Sequence, residues 1–362
     1  MSDEENLRRY RDNEELKFSL RSVEKHAKWV RKIFIVTNGQ VPNWLNTSHP
    51  KIRLVSHDQI FTDKGDLPNF SSVSIECHLH RIEGLSDNFV YFNDDMFLGD
   101  TLVPSDFLCG DEQKIRVAWE APVRILTTDP NSYDTYSNSM VYTSNFLNKR
   151  FGVRYDRRVP AHTPYFFHKT ILKDMLEIWK EAFENTCKHK LRTNQDMLLT
   201  FAYQNFVLEE CDKYYNASSL FDELDSNKDG RLNSSETEFI CNQTNHFFCS
   251  KLKEKEMTMQ QMEEIGLMRS FLDFKHSIKK YKSQKIQTVD TPQEENVENS
   301  FLMITDDVQL VAQQIKELKL KPKKFVCIND DRRYLPQVQQ LISKCIIDFY
   351  LLNFPNKSSF EL

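Results

Sequence analysis

Three short runs of β-branched and aromatic residues, IFIVT (33–37), KIRLV (51–55) and FVYF (89–92), are spaced along the first hundred residues with helix-like stretches around them. The first reads as a short buried strand, and the other two as a second and a third strand. Before the first, Leu16, Leu20, Val23, Ala27 and Val30 recur at helical spacing, with Asp12 or Asn13 placed to cap the start. Between the second and third, FSSVSIECHLHRIEGL (70–85) reads as one helix, capped by its serines and ended by Gly84. Strand and helix alternating at this pace predict an α/β fold: a Rossmann-like, mostly parallel sheet flanked by helices. Ligands of such sheets bind beyond the carboxyl ends of the strands. The third strand ends there in Asn93-Asp94-Asp95.

Further along, KIRVAW (114–119) is strand-like, residues 134–212 are mainly helical, and RRVPAHTPYFFH (157–168) interrupts them with two prolines. A charged helical segment over 250–285 leads into a polar linker, QTVDTPQEENVENS (287–300). Helices near 306–319 and 336–352 enclose a last strand-like run, KFVCIND (324–330).

Several function classes fall away early. Only eight residues are glycine, none at the spacing of a dinucleotide turn or a P-loop. With net charge −5, the basic residues lack the concentration that nucleic-acid binding requires. No stretch approaches the ~18 apolar residues of a membrane span, and MSDEENLRRYRDNEE is too charged for a signal peptide. Eight cysteines show no CxxC spacing. Six N-x-S/T sequons (Asn46, Asn69, Asn216, Asn233, Asn242 and Asn356) point instead to lumenal or extracellular exposure.

Asp225-Ser-Asn227-Lys-Asp229-Gly230-Arg231-Leu232-Asn233-Ser-Ser-Glu236 has the EF-hand pattern. Asp225, Asn227, Asp229, the Arg231 carbonyl and Glu236 are the calcium ligands it predicts, with Gly230 at the sharp turn. The adjacent carboxylates of Asp94 and Asp95 repel unless compensated, so they mark either an ordinary acidic turn or a hard-cation site. Glu76 and His80 stand four apart, on one helix face, and as an isolated pair read as a solvated ion pair. A Cys77-His78-His80 zinc site has poor helical geometry. His162, between Pro160 and Pro164, is a stiffly held imidazole or a packed loop residue. Lys188-His189-Lys190-Leu191-Arg192 is an anion-binding turn or a solvated charged face.

RDNEELKFSLRSVEKHAKWVRKIFIVTNGQVPNWL and LPNFSSVSIECHLHRIEGLSDNFVYFNDDMFLGD, with DTYSNSMVYTSNFLNKRFG, RRVPAHTPYFFHK, LRTNQDM and the carboxyl-terminal KFVCIND and FEL, resemble the Stealth family of sugar-phosphate transferases. The resemblance, to the animal members above all, covers residues 11–362. It implies transfer of N-acetylglucosamine 1-phosphate from UDP-N-acetylglucosamine to the 6-hydroxyl of mannose on high-mannose N-glycans of lysosomal enzymes. UMP would leave, a reaction of the EC 2.7.8 type and the first step of a mannose 6-phosphate tag. It also implies Mg²⁺ or Mn²⁺ at Asp94 and Asp95, Glu76 in the same pocket, His162 as the base and Arg192 on phosphate. A Golgi lumenal setting, a homodimer and an accessory gamma subunit come with it. The family's first block and its amino-terminal anchor are expected to be missing from the chain, and the connection between Trp119 and Asp134 to be short. The expected division is catalytic α/β domain over 1–133 and 134–212, EF-hand unit over 213–249, charged helix and linker over 250–300, and a carboxyl-terminal part over 301–362 packing on the catalytic domain. The alternative is a calcium-stabilised binding protein of the same fold without catalysis.

Overall fold

The computed structural model describes residues 11–109, 112–113, 115–116, 134–154, 157–210, 221–222, 224–244, 256–264, 288–289, 298–330 and 336–362. Residues 117–133 and most of 250–285 and of the 287–300 linker lie outside this set. Helix α1 (Glu15–His26) forms on the predicted apolar spacing. Its N-cap, however, is Glu14 at φ 63°, neither Asp12 nor Asn13. Asp12 accepts the Glu14 amide (2.7 Å) and Glu15 accepts the Asn13 amide (2.6 Å), so the local side chains satisfy the amides just outside the helix.

Strands β1 (Ile33–Thr37) and β2 (Ile52–Ser56) pair in parallel, with Ile33 opposite Ile52. The parallel sheet ends there. Strand β3 (Asn88–Tyr91) runs antiparallel to β8 (Tyr165–His168). Strand β4 (Met96–Leu98) runs antiparallel to β11 (Phe325–Asp330), which is parallel to β10 (Asn299–Ile304). The short β5 (Leu108–Cys109) and β6 (Glu112–Gln113) form an antiparallel pair, and β7 (Ile115–Arg116) pairs in parallel with β9 (Thr288–Val289). The expected Rossmann-like, mostly parallel sheet is therefore corrected to a mixed α/β fold of small sheets with helix predominant. Apolar runs specify burial but leave the neighbour and its direction open, and β3 and β4 take theirs from distant segments.

The helix predicted over 70–85 breaks. After the four-residue α2 (His57–Ile60), helix α3 spans only Ser72–Glu76, and a 3-10 turn follows at Leu79–Arg81. The cause is packing: Val73 and Cys77 belong to one apolar cluster, Leu79 and Ile82 to another, and one straight helix cannot serve both. The main clusters explain the remaining architecture. One joins Val73, Cys77 and Phe167 to helices α4 (Thr135–Phe151), α5 (Lys169–Ile178), α6 (Lys180–Lys188) and α7 (Leu199–Glu210). Asp134 caps α4 by accepting the Ser137 amide at 3.0 Å.

The EF-hand is also corrected. The loop is followed by helix α8 (Ser234–Thr244), and Leu232 bridges Met257 before the short α9 (Met259–Glu264). Its carboxylates close on the loop itself: Asp225 accepts the Gly230 amide (2.8 Å), Asp229 the Arg231 amide (2.8 Å), and Glu236 the Ser226 and Asn233 amides (both 2.8 Å). Asn233 accepts the Glu236 amide in return (3.2 Å), which makes 233–236 a capping box for α8. The oxygen-bearing positions that read as calcium ligands thus serve helix capping and turn closure.

The second large cluster unites Phe18, Phe97, β10 and β11 with helices α10 (Val308–Leu320) and α11 (Pro336–Asn353). Tyr350 packs its ring 5.0 Å from Phe18 and 4.7 Å from Phe97. Gly99 is required where β4 meets β11, since a Cβ there would sit 2.2 Å from the Lys323 carbonyl oxygen. Arg21 and Glu361 form a buried bidentate pair, 2.7 Å on each arm, that ties the chain's last residues to α1. Of the sequons, Asn69 is fully buried, with its amide donating to Ser74 and to the Cys187 and His189 carbonyls, so the folded chain has no room for a glycan there; Asn356 is exposed. Among the described residues no helix is long and apolar enough to cross a membrane.

Candidate functional site

The turn Asn93-Asp94-Asp95 carries the chain from β3 to β4. Tyr91, before it, packs on the α4–α7 core, and Phe97, after it, belongs to the core of β10, β11, α10 and α11. The two carboxylates therefore sit where the cores meet. The turn is pinned to β11 by its backbone, with the Asp95 carbonyl accepting the Ile328 amide at 3.0 Å.

Alternate residues of a strand share a face. Cys327 and Asn329 of β11 accordingly both reach Asp95 Oδ2, each at 3.3 Å. On the other side His162 Nε2 lies 3.7 Å from the same oxygen. Asp95 Oδ1 is buried and has no hydrogen-bond partner among the described residues. Burial opposes ionisation of Asp95, but His162, with Cys327 and Asn329, outweighs it and lowers the pKa. Asp94 is exposed, yet desolvation and then the charge of Asp95 raise its pKa. The Cys327 thiol is pushed well up by burial and by Asp95.

Strand β8 brings the rest. Tyr165 stands opposite Tyr91 in the register, and its hydroxyl is 3.4 Å from His162 Nδ1. The Tyr91 hydroxyl donates to Glu76 Oε1 at 3.1 Å. Burial raises the Glu76 pKa from 4.5 to about 7, against the opposing influence of Arg192, Tyr91 and His162. Arg192 donates to Ser72 Oγ at 2.6 Å. The Phe301 ring, in register with Cys327 across β10 and β11, meets the His162 ring edge-on at 5.6 Å and is half exposed at the rim.

The structure thus gathers Glu76, Asp94, Asp95, His162 and Arg192, which the sequence singled out. The calcium set of Asp225, Asn227, Asp229, Arg231 and Glu236 belongs to the separate capped loop. Glu76 is not the solvated partner of His80: the helix ends between them, and burial lowers the His80 pKa to about 4. The basic turn splits its roles. Lys190 donates to the Leu67 carbonyl (3.2 Å), while Arg192 turns toward Glu76. Sequence reading missed Tyr91, Tyr165, Phe301, Cys327 and Asn329. The alternation within KFVCIND was the available signal for the last two, but it does not say which turn they face.

A raised carboxyl has a consequence for stability. Glu15, like Glu76, is raised to about 7, chiefly by burial. A carboxyl whose pKa rises on folding contributes stability in full below its unfolded value of 4.5, and that contribution is lost as pH rises through about 7. These two carboxyls therefore pull the melting temperature down as pH rises from 4.5 to about 7, against the opposite slope of His80, whose lowered pKa adds stability as pH rises from about 4 to 6.5. Glu76→Gln should flatten part of that fall in thermal melts; an unchanged slope would contradict the assignment.

Three stretches of the chain match models of conserved regions of Stealth proteins: region 2 over residues 9–116, region 3 over 161–209 and region 4 over 316–362. Over 115 residues, 32% of this chain and 9% of the relative, it is 53% identical to the mouse N-acetylglucosamine-1-phosphotransferase subunits alpha/beta. An exopolysaccharide phosphotransferase of Streptomyces coelicolor is 32% identical over 273 residues, 74% of this chain and 44% of the relative. A capsular polysaccharide phosphotransferase of Streptococcus thermophilus is 37% identical over 176 residues, 46% of this chain and 72% of the relative. The chain thus spans less than half the length of the mouse and Streptomyces relatives. Fold, site and likeness together set it among phosphotransferase-like proteins. Its family is Stealth, to which the chain belongs.

Proposed function

We propose that the chain carries the catalytic centre for transfer of N-acetylglucosamine 1-phosphate from UDP-N-acetylglucosamine to the 6-hydroxyl of mannose on high-mannose N-glycans of lysosomal enzymes. The observation that carries this reading is the convergence at Asp95. Asp95 comes from the first matched region, His162 from the second and Cys327 from the third, and all three meet within a few ångströms. The sugar phosphate is that named in the mouse relative, an N-acetylglucosamine-1-phosphotransferase.

In this reading the acceptor oxygen attacks the β-phosphorus, the bond from that phosphorus to the oxygen bridging to the α-phosphate breaks, and UMP leaves with that oxygen. The sugar's anomeric bond is untouched. With the His162 Nε2 proton directed at Asp95 Oδ2, Nδ1 is left to take the acceptor's proton, beside the Tyr165 hydroxyl. Asp95 then stabilises the imidazolium that forms. Arg192 faces the growing negative charge on phosphate, and Glu76 holds Tyr91 at the pocket wall.

Asp95 Oδ1, buried without a partner among the described residues, and the exposed Asp94 carboxylate beside it suit a hard divalent cation. Asp94 and Asp95 would hold Mg²⁺ or Mn²⁺, which when bound neutralises charge on the diphosphate. A Golgi lumenal setting, a homodimer and an accessory gamma subunit belong to the same proposal.

The test is UMP release from UDP-N-acetylglucosamine with α-methyl mannoside and Mg²⁺ or Mn²⁺. The double variant Asp94→Asn plus Asp95→Asn should lose at least about a hundredfold in rate. Full activity in that variant would remove the site from the mechanism. Saturable donor binding with no turnover would instead support a binding protein of the same fold.

A further inference from the structure

We infer that Asp95, His162 and Cys327 form a three-ligand site for a borderline-soft divalent ion, Zn²⁺ foremost, whose occupancy shuts the catalytic centre. One ligand atom from each lies within 4.8 Å of the others. The Asp95 Oδ2 to His162 Nε2 distance, 3.7 Å, is long for a hydrogen bond. It lies just beyond the spacing of two ligands of one ion: Zn–O and Zn–N bonds of about 2.0–2.2 Å and Zn–S bonds of about 2.3 Å give tetrahedral edges of roughly 3.4–3.6 Å, which a small shift of the half-exposed imidazole reaches. The Asp95 to Cys327 separation of 3.3 Å falls just short of that range.

The donor set identifies the ion. Mg²⁺ demands near-octahedral oxygen ligands, whereas carboxylate, imidazole and thiolate together select zinc or a metal like it. Three protein ligands also leave a fourth position for water or a phosphate oxygen. On binding, the Cys327 S–H bond breaks, sulfur joins the metal as thiolate, and one proton passes to solvent. His162 then spends Nε2 on the metal and Asp95 its shared oxygen, so neither can serve the acceptor. This inhibitory consequence rests on the roles proposed above; the binding itself does not.

Cobalt(II) is the probe, added alone to the full chain. A sulfur-to-cobalt charge-transfer band saturating at one equivalent is expected, removed by Zn²⁺ but not by Mg²⁺. Cys327→Ser should abolish the band. His162→Gln, at a half-exposed position that folding tolerates, should weaken cobalt binding at least tenfold while keeping the band. In the phosphotransfer assay, Zn²⁺ should inhibit, and Cys327→Ser should raise the inhibitory concentration at least tenfold. No band, a band that persists in folded Cys327→Ser, or undiminished cobalt affinity in His162→Gln would overturn the site. A band without any turnover would leave the metal site standing and count against the proposed reaction, whereas turnover without a band would do the reverse.

Discussion

Turnover is expected to fall by about 10²–10⁴-fold when His162 is replaced by alanine, the range a positioned general base contributes. His162 is a good position for this test because it is placed by others and places little itself. Its side chain keeps 30% of its surface exposed, so removing the ring leaves a wet notch at the site's edge, with no buried cavity. Donor binding should survive, since Asp94 and Arg192 remain. The expected signature is a lower kcat with a nearly unchanged KM for UDP-N-acetylglucosamine. Equal kcat in the variant would remove His162 from the chemistry, and a raised KM alone would make it a binding residue.

Glu209→Ala should cost about 3–5 kcal/mol of stability, because it strands a buried guanidinium. Arg157 meets Glu209 through two hydrogen bonds, 2.7 and 3.0 Å, with both side chains almost completely buried. The same guanidinium reaches Asn148 and the Gly152 carbonyl, which locks the segment leading to His162 onto α4 and α7. The loss is therefore expected in two readouts: a lower midpoint in urea unfolding, and reduced kcat in the protein that remains folded. A stability cost below about 1 kcal/mol would show that the pair is not desolvated as described.

Much of the local structure was legible. IFIVT became β1 residue for residue, KIRLV and FVYF became β2 and β3 shifted by one, and KFVCIND became β11. These runs are specified by their own side chains. What stayed hidden was relational. Nothing in FVYF states that Tyr91 will oppose Tyr165, or that the chain will leave one sheet and enter another within the few residues around Asp94. The helix over 70–85 failed because its two halves answer to different cores. The loop at 225–236 failed for another reason: oxygen-bearing side chains at calcium spacing also serve a capping box, and Asn233 with Glu236 does so. At the site itself, the reactive residue types were recognisable, while the thiol, the amide and the two tyrosines that surround them were not.

The contact between Asp95 and Cys327 bridges 232 positions of the sequence. Closures that long come late in folding, after local helices and turns are already formed. A chain still emerging from the ribosome, or one shortened before β11, carries both aspartates but lacks the wall that holds them. In the proposed reaction, turnover would then come from molecules whose last helices have already docked, and its rate would double as a count of finished chains.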